Sequence, residues 1–325
     1  MINTRLFTLE DLTEVCRLFN EQKLPYHPWD KDYFTQKFLN NPNYCEDCMF
    51  VATEDGNIIG FGFGLYKKKF LKNEDKAKSP GFITMIVVKE DYRRKGIGTR
   101  LLNNIEAILF EKGRKRIDCS FFNPIHLNWY IPNKNKHEHP NAPGVIYPSD
   151  SYDFFLTHGY KAVAKENAYY LNLSEFNLPS SIEDRIESLK SKGITFEYFD
   201  KNKHHFSDLF DKLGNEGWRE EITKASNEKN LPVLTPIYQN QAIGFTGPLY
   251  VEDNGRGYFA GIGVHPDFRS YGIGKALFFL LCLNLKELGA SYMSLFTGEE
   301  NPARKMYEKA DFKIVKSFYV MRKEK

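Results

Sequence analysis

The chain has 325 residues, with 45 Lys and Arg against 42 Asp and Glu, so its formal net charge is +3. Its composition, 42% hydrophobic and 27% charged, is that of an ordinary globular protein and argues against a disordered chain. The length favours two domains, each able to bury its own core. The small charge excess predicts neither a nucleic-acid-binding protein nor a membrane-surface protein.

Cysteine usage and the apolar runs indicate the compartment. The five cysteines are Cys16, Cys45, Cys48, Cys119 and Cys282. They are sparse and odd in number, so a disulfide framework is not expected. The longest apolar stretch, residues 276–283, is far shorter than a membrane span requires, and the first residues lack the apolar core of a signal peptide. We therefore expect a cytoplasmic protein with reduced thiols and no membrane partner.

The first half of the chain predicts a hairpin, a strand, a helix and a further strand. The hairpin spans residues 49–63, with a tight turn at 55–57. Residues 82–88 are a β-branched run typical of a buried strand. A helix with a wide apolar face follows and ends near Gly113, and residues 116–121 return to a strand.

The second half repeats this order. Residues 233–245 predict a hairpin and residues 258–264 a strand. The next helix ends near Gly289, and residues 291–296 predict the returning strand. The predicted fold class is therefore α+β, with two tandem domains that each have a mixed, mostly antiparallel sheet flanked by helices.

A polar stretch with a proline, residues 173–181, precedes a charged amphipathic helix and separates the two halves. We predict an N-terminal domain at 1–172, a linker and helix at 173–192, and a C-terminal domain at 193–325. The first half also holds a long insert at about 122–150. Loops of that length are often functional, and we expect a lid or a packing loop.

The motif that carries chemistry, Arg-x-x-Gly-x-Gly, occurs once in each half between a predicted strand and a long helix. The first turn of a helix presents free N–H groups and the positive end of the helix dipole. Glycines there let a phosphorylated ligand approach the backbone, and the leading arginine adds positive charge. One copy alone would be weak evidence, but two copies at equivalent places predict a pair of pyrophosphate-binding loops.

Both halves resemble the GCN5-related N-acetyltransferase family, whose acetyl-CoA loop has this motif at a strand-to-helix junction. The resemblance covers about residues 1–172 and 193–325. It implies acetyl-CoA as the cofactor, bound by loop amides, direct transfer to an amine, and strands that splay apart beside the loop. In the first half it implies cofactor contacts from Ile86, Val88, Arg93, Arg94, Lys95, Gly96, Ile97, Gly98 and Thr99. In the second half it implies them from Ile262, Val264, Arg269, Ser270, Tyr271, Gly272, Ile273, Gly274, Lys275, Asn301 and Arg304.

The resemblance also implies a general acid. In the second half, residues 301–312 are similar to the helix of the family that carries a tyrosine, and Tyr307 would protonate the departing CoA thiolate. Asp311 stands where the family usually has glycine. In the first half Phe155 occupies the tyrosine position, and a phenyl ring donates no proton. The catalytic prediction is therefore Tyr307 in the C-terminal domain.

Three functional hypotheses follow. The first is an acetyl-CoA-dependent N-acyltransferase that acetylates a primary amine in the C-terminal domain. The second is a CoA-binding regulatory or scaffold protein without turnover. The third places catalysis in the N-terminal domain, with Tyr152 or a loop residue as the acid. The acceptor is a small molecule or a peptide amine, and amino sugars and protein lysines stay open.

No metal site is predicted. Cys45 and Cys48 have Cys-x-x-Cys spacing, but a zinc site needs a second pair of ligands. His126, His137 and His139 lie in a polar loop without a carboxylate-rich partner. A general base is also not evident, because the nearest acidic residues to the second loop, at 252, 299 and 300, are typical of a solvated surface.

Overall fold

The computed structural model describes residues 1–70 and 74–325. The chain forms two compact units: the first is Met1–Ala168 together with Val315–Lys325, and the second is Tyr169–Ile314. The last residues of the predicted C-terminal domain therefore lie in the first unit. Within the two described ranges, no helix is long and apolar enough to cross a membrane.

The elements up to β9 follow in chain order: β1 Ile2–Leu6, α1 Leu12–Glu21, α2 Lys31–Phe34, β2 Met49–Glu54, β3 Asn57–Tyr66, β4 Gly81–Val88, α3 Ile97–Glu111, β5 Arg116–Cys119, β6 Trp129–Tyr130, β7 Glu138–His139, β8 Val145–Tyr147, α4 Asp150–Thr157 and β9 Lys161–Asn172.

The remaining elements are α5 Ser180–Lys190, β10 Ile194–Tyr198, α6 Leu209–Leu213, α7 Glu216–Asn227, β11 Leu234–Tyr238, β12 Gln241–Ala242, β13 Gly244–Thr246, β14 Arg256–Gly257, β15 Ile262–Val264, α8 Ile273–Glu287, β16 Tyr292–Gly298, α9 Arg304–Lys309 and β17 Lys313–Glu324.

The sheet of the first unit has the strand order β1-β2-β3-β4-β5-β17, with β8 beside β17. Neighbours are antiparallel except β4 and β5, which run parallel and pair only at Gly81 with Ile117 and at Phe82 with Asp118. Beyond those pairs the two strands separate. Because β4 continues to Val88 alongside β3, the separation leaves one flank of β4 open.

Glycines in β3 allow α3 to pack closely on this sheet. A Cβ added at Gly64 would collide with the Ile105 side chain of α3, and one at Gly62 would lie 3.1 Å from Leu101. Ile105 and Leu101 are fully buried. The glycine-rich run in β3 therefore serves close helix–sheet packing, which fixes the position of α3 and of the loop before it.

The sheet of the second unit has the order β10-β11-β13-β15, with β12 beside β11, while β14 pairs in parallel with β16. The strand predicted at 258–264 is interrupted: Gly257 still pairs with Met293 of β16, and pairing resumes at Ile262 with Thr246 of β13. Helix α8 packs its apolar face on this sheet, with Leu277, Leu281 and Leu285 fully buried. Both halves are mixed sheets flanked by helices, so the predicted fold class is confirmed.

Candidate active site

The first glycine loop ends in a left-handed residue that starts α3. Gly96 has φ +78° and caps the helix, and a Cβ added there would meet nothing within 4 Å. Arg94 also has a positive φ, +60°. By α-helix geometry the amides at positions 97–99 have no partner inside the helix. The loop therefore presents amides and the positive end of the α3 dipole toward open space.

Two side chains hold this loop in place. Arg93 donates from Nε to the Val88 carbonyl at 3.1 Å and from Nη2 to Oε1 of Gln22, at the end of α1, at 2.8 Å. On the other side, Oγ1 of Thr99 lies 2.8 Å from Nε2 of His158, next to α4. The loop is thus tethered to β4, α1 and α4 before any ligand arrives.

The loop opens into a cavity of about 750 Å³ within the first unit. One flank is β4, from Ile83 to Val88, at the point where it separates from β5. Residues that follow β5, beginning with Cys119 and Ser120, form another flank. The splay implied by the sequence is therefore present here, and it coincides with the cavity. Seven of the sequence-predicted cofactor residues line it: Ile86, Val88, Arg93, Arg94, Gly96, Gly98 and Thr99.

The residues present fit a CoA nucleotide in this unit. The open space in front of Gly96 is what a pyrophosphate at a helix start requires, and Arg93 and Arg94 add positive charge. The β4 flank is mainly apolar and suits an extended thioester arm. A Cβ added at Gly98 would lie 3.4 Å from the Phe154 ring, so the backbone at Gly98 is closely covered from the α4 side. Lys95 and Ile97 lie in the same loop but do not appear among the cavity-lining residues; Ile97 is buried.

The first unit has no tyrosine at the position expected from the resemblance. Phe155 is 6% exposed, touches the cavity, and packs edge-on against Tyr160 with ring centres 5.0 Å apart. Tyr152 packs against Tyr147 and Tyr319 instead, with ring centres 4.9 and 5.2 Å away. Burial raises the pKa of Tyr152 above its ordinary value.

The second glycine loop shares two features with the first, a left-handed glycine before the helix and an arginine that bonds to the preceding strand. Gly272 has φ +76° and caps α8, and Arg269 donates from Nε to the Val264 carbonyl at 3.3 Å, as Arg93 does to Val88. The space in front differs. A Cβ added at Gly272 would collide with the guanidinium of Arg185, which projects from α5. A side chain of the same unit therefore lies over the second loop.

Side chains also cover the strand before the second loop. The Trp218 indole lies against Gly261, where an added Cβ would clash with it, and its Nε1 donates to the Ala260 carbonyl at 3.2 Å. The equivalent stretch of β4 in the first unit faces the cavity. Ile262 is half-buried. This part of the second site is thus filled by α7 of its own unit.

The predicted acid of the second half lies in an aromatic cluster. Tyr307 is 6% exposed, and its ring centre is 4.9 Å from that of Phe278 and 6.1 Å from that of Tyr169. Burial raises the pKa of Tyr307 to about 12. Arg304 donates to the backbone carbonyl of Glu299 at 2.7 Å and to its carboxylate at 3.1 Å.

The other predicted residues of the second half lie around the loop. Oδ1 of Asn301 accepts from the Ala303 amide at 2.9 Å. Lys192 lies over the Tyr271 ring, with Nζ 5.6 Å from its centre. Gly274 has ordinary contact space toward Val264, and Ile273 is buried in the core. Ser270 and Lys275 belong to the loop and to the first turn of α8.

Sequence reasoning missed the residues that enclose the cavity away from the loop. They come from the segment after α1 and from the insert: Leu24, Pro25, Tyr26, Asn123, Ile125, Leu127 and Asn141. The only signal was the insert itself, with its aromatic anchors. Trp129 of the insert is 2% exposed and packs edge-on against Phe318 with ring centres 5.2 Å apart.

Sequence reasoning also missed the contact between His27 and Glu138. His27 Nδ1 lies 2.6 Å from Oε1 of Glu138, and Asn128 donates to the other carboxylate oxygen at 3.0 Å.

Cys45 and Cys48 are both buried in the core of the first unit. Among the residues that the structure describes, no group of three or more His, Cys, Asp or Glu is arranged to hold a metal ion.

Comparison with known proteins identifies the family. The model of the acetyltransferase (GNAT) family matches the chain twice, at residues 12–130 and 197–312. The chain belongs to this family, and the resemblance seen in the sequence is confirmed. The two matches fall on the two glycine loops and their flanking strands, so each half is a member in its own right.

One curated relative is an N-alpha-acetyltransferase from Sulfurisphaera tokodaii, 32% identical over 102 residues. The match covers 31% of this chain and 56% of that protein, so the chain spans little more than half of the length of this relative.

Solved structures share the fold of the whole chain. A GCN5-related glucosamine N-acetyltransferase region of a fungal multi-domain GH3 beta-N-acetylglucosaminidase matches with a TM-score of 0.72 at 16% identity, over 99% of this chain and 38% of that one. A GCN5-related N-acetyltransferase from Sphaerobacter thermophilus gives 0.63 at 15% identity, over 99% and 95%. A tandem GNAT protein from the clavulanic acid biosynthesis pathway gives 0.59 at 12% identity, over 100% and 98%.

Proposed function

We propose that the protein transfers the acetyl group of acetyl-CoA to a primary amine, and that the transfer takes place in the first unit. The observation that carries the proposal is the cavity of about 750 Å³ that joins the open loop at Gly96 to the splay between β4 and β5. Family membership supports acetyl transfer as the reaction, and the name of the curated relative supports an amine as the acceptor.

The residues of the first unit have distinct tasks in this proposal. The amides of residues 96–99 hold the pyrophosphate, assisted by the dipole of α3 and the charges of Arg93 and Arg94. The apolar side chains of β4 hold the thioester arm and exclude water from it. Acetyl-CoA supplies the thioester: the amine nitrogen bonds to the acetyl carbon, the C–S bond breaks, and CoA leaves as the thiol with one amine proton.

Positioning accounts for most of the catalysis on this proposal. Holding two reactants in one cavity replaces a bimolecular encounter with an intramolecular one, a contribution that requires no general acid. Phe155 stands where an acid would be and closes the cavity with an apolar ring. The proton that the amine nitrogen loses therefore reaches the leaving thiolate through solvent, because the Phe155 ring carries no group that could transfer it.

The second half supports a different task. Arg185 lies over Gly272, and Trp218 occupies the strand beside it, so the second loop is covered by side chains of its own unit. A scaffold role for this half agrees with that covering. The complete tyrosine motif at Tyr307 favours the competing proposal, in which chemistry occurs in the second half.

Two glycine variants distinguish these proposals. Gly96→Glu and Gly272→Glu each place a carboxylate in one loop at a position of similar positive φ. We expect Gly96→Glu to weaken CoA binding more than tenfold, or ~1.4 kcal/mol, and to abolish acetylation, whereas Gly272→Glu retains activity. Calorimetry with CoA and turnover with acetyl-CoA and a panel of amines measure both effects.

A matched control removes the effect of backbone strain. Gly113 has φ +77° and open space around it, at the other end of α3, so Gly113→Glu carries the same strain without touching the loop. It should bind CoA like the wild type. If Gly272→Glu loses activity and Gly96→Glu keeps full activity, the reaction takes place in the second half.

A further inference from the structure

The cavity of the first unit has a part that is supplied neither by the glycine loop, nor by β4, nor by α4. We call this part the acceptor wall. It consists of residues from the segment after α1 and from the chain after β5: Leu24, Pro25, Tyr26, Ser120, Asn123, Ile125, Leu127 and Asn141. All of its side chains are uncharged, and most are apolar.

The charged side chains of the cavity lie on other elements. Arg93 and Arg94 belong to the loop, and Asp150 and Asp153 belong to α4. Phe154, next to Asp153, is the residue that covers Gly98 of the loop. The acidic groups of the cavity therefore lie on the helix that covers the glycine loop, whereas the acceptor wall is neutral.

The amide groups of the acceptor wall are already engaged. Asn123 donates to Oγ1 of Thr84 at 3.0 Å and accepts from the Ile125 amide at 2.9 Å. Asn141 donates from its side-chain amide to the Phe121 carbonyl at 3.3 Å, and its backbone carbonyl accepts from the Trp129 indole at 3.0 Å. These bonds hold the wall in shape.

Ser120 differs from these residues. It is 8% exposed, it lines the cavity immediately after β5, and its Oγ is buried without a hydrogen-bond partner in the structure. A buried hydroxyl without a partner costs free energy, and a ligand that bonds to it recovers that loss. It lies just beyond the last pair between β4 and β5, where the two strands begin to separate.

We propose that the acceptor is a weakly basic primary amine with an apolar neighbour, which enters the cavity uncharged and is held through its nitrogen by Oγ of Ser120. This inference rests on the proposed function. An α-amino group of a peptide and an aromatic amine share this chemistry, whereas lysine side chains and polyamines do not. Placing an alkylammonium ion against a neutral wall removes its hydration without an opposite charge to replace it.

The basicity of the amine decides between these classes. An α-amino group has a pKa near 8 and a lysine side chain a pKa near 10.4, so at pH 7.4 the neutral fraction differs roughly 200-fold. If the site accepts only the neutral amine, the values of kcat/KM for the two amines should differ by the same ratio. The apolar residues Leu24, Ile125 and Leu127 then favour an acceptor with a hydrophobic side chain near its amine.

The test compares isomeric acceptors. One short peptide with a leucine at its N-terminus and one lysine is prepared in two forms, with either the α-amine or the lysine amine blocked by acetylation. A second pair, 4-methylaniline and benzylamine, separates an aromatic from an alkyl amine of equal composition. At pH 7.4 we expect kcat/KM for the free α-amine to exceed that for the free lysine at least 100-fold. Between pH 8 and 10 the gap should narrow about sixfold per pH unit.

A preference for the lysine form at pH 7.4, or a gap that does not change with pH, would overturn the inference. The aniline pair tells which source of weakly basic amine the wall accepts. Ser120→Ala should raise KM for the amine about tenfold and leave the calorimetric affinity for CoA unchanged. The exposed Ser188→Ala on α5 is the matched control. Unchanged KM in Ser120→Ala would remove its assigned contact.

The two proposals fail differently. If CoA affinity is unaffected by Gly96→Glu, the first unit does not hold the cofactor and the proposed function is wrong. If Gly96→Glu abolishes binding and lysine peptides are nevertheless the better substrates, the proposed function holds and only the inference about the acceptor is wrong.

Discussion

Arg322, three residues from the end of the chain, donates from Nε and Nη2 to the two carboxylate oxygens of Asp118 at 2.9 and 3.2 Å. Asp118 lies on β5 and is 1% exposed. The bond accompanies a strand pairing, in which Met321 lies opposite Cys119. The last strand of the chain therefore completes the sheet beside which the candidate active site opens.

Removing this strand should unfold the first unit. Deletion of residues 315–325 exposes the edge of β5 and leaves Asp118, and also Glu106, which Lys323 contacts at 2.7 Å, without these partners. We expect loss of the cooperative unfolding transition of the first unit and of CoA binding to the Gly96 loop, both measurable by calorimetry. A truncated chain that retains both would show that the first half folds without the C-terminal strand.

Breaking the Arg322–Asp118 pair alone should cost about 3 kcal/mol. Arg322→Met removes the two hydrogen bonds of a buried carboxylate and leaves it only Nε of Arg116, 3.5 Å away, which is more destabilising than losing both charges together. Adding Asp118→Asn should restore part of the loss. The exposed pair of Arg17 and Glu14 offers a control, because Arg17→Met should change the free energy of unfolding by about 1 kcal/mol or less. Equal effects in urea titrations of the two arginine variants would contradict this prediction.

Tyr307→Phe separates the two catalytic proposals by rate. If the chemistry occurs in the first unit, removal of the hydroxyl should change turnover less than twofold. If Tyr307 is the general acid, turnover should fall by ~10²–10⁴-fold with little change in CoA affinity. Steady-state kinetics with the best amine of the panel decide between these outcomes.

Ionisation of Tyr307 should lower the stability of the fold at alkaline pH. Burial raises the pKa of Tyr307 to about 12, above the ordinary value of about 10 for the unfolded chain. Its protonated form therefore stabilises the fold fully below pH 10, and that contribution is lost as the pH rises from 10 to 12. Between pH 8 and 11, wild type should lose about 1.4 kcal/mol more than Tyr307→Phe in urea unfolding. Identical losses would show that the hydroxyl is hydrated in the folded state.

Phe155→Tyr should restore an acid to the first unit. Phe155 already lines the cavity, so an added hydroxyl can reach its interior. We expect kcat to rise about tenfold while KM for the amine stays the same, because the new group acts on the leaving thiol rather than on the acceptor. A fall in kcat together with a lower melting temperature would show instead that the ring is needed as an apolar seal.

The sequence predicted the parts of the site that depend on neighbouring residues. Both loop glycines, Gly96 and Gly272, have the positive φ that a strand-to-helix turn requires, and each starts a long helix. Asp311, which replaces a glycine of the family pattern, adopts φ +68°, a conformation that aspartate tolerates better than most residues. Such backbone demands are local, so they can be inferred from a short motif.

Only the tertiary structure decided which copy of the motif is open. Arg185 and Trp218, which cover the second loop, are far from Gly272 in the sequence, and nothing in either residue's neighbourhood predicts where its side chain lies. The pairing of Arg322 with Asp118 also could not be predicted from a local sequence pattern, because any strand of suitable polarity could pair with β5. Local sterics select a turn from a few adjacent residues, whereas burial and charge pairing select partners from the whole chain once it has collapsed. The two loops were therefore determined by the sequence, and the contrast between an open first loop and a covered second one was determined by the fold.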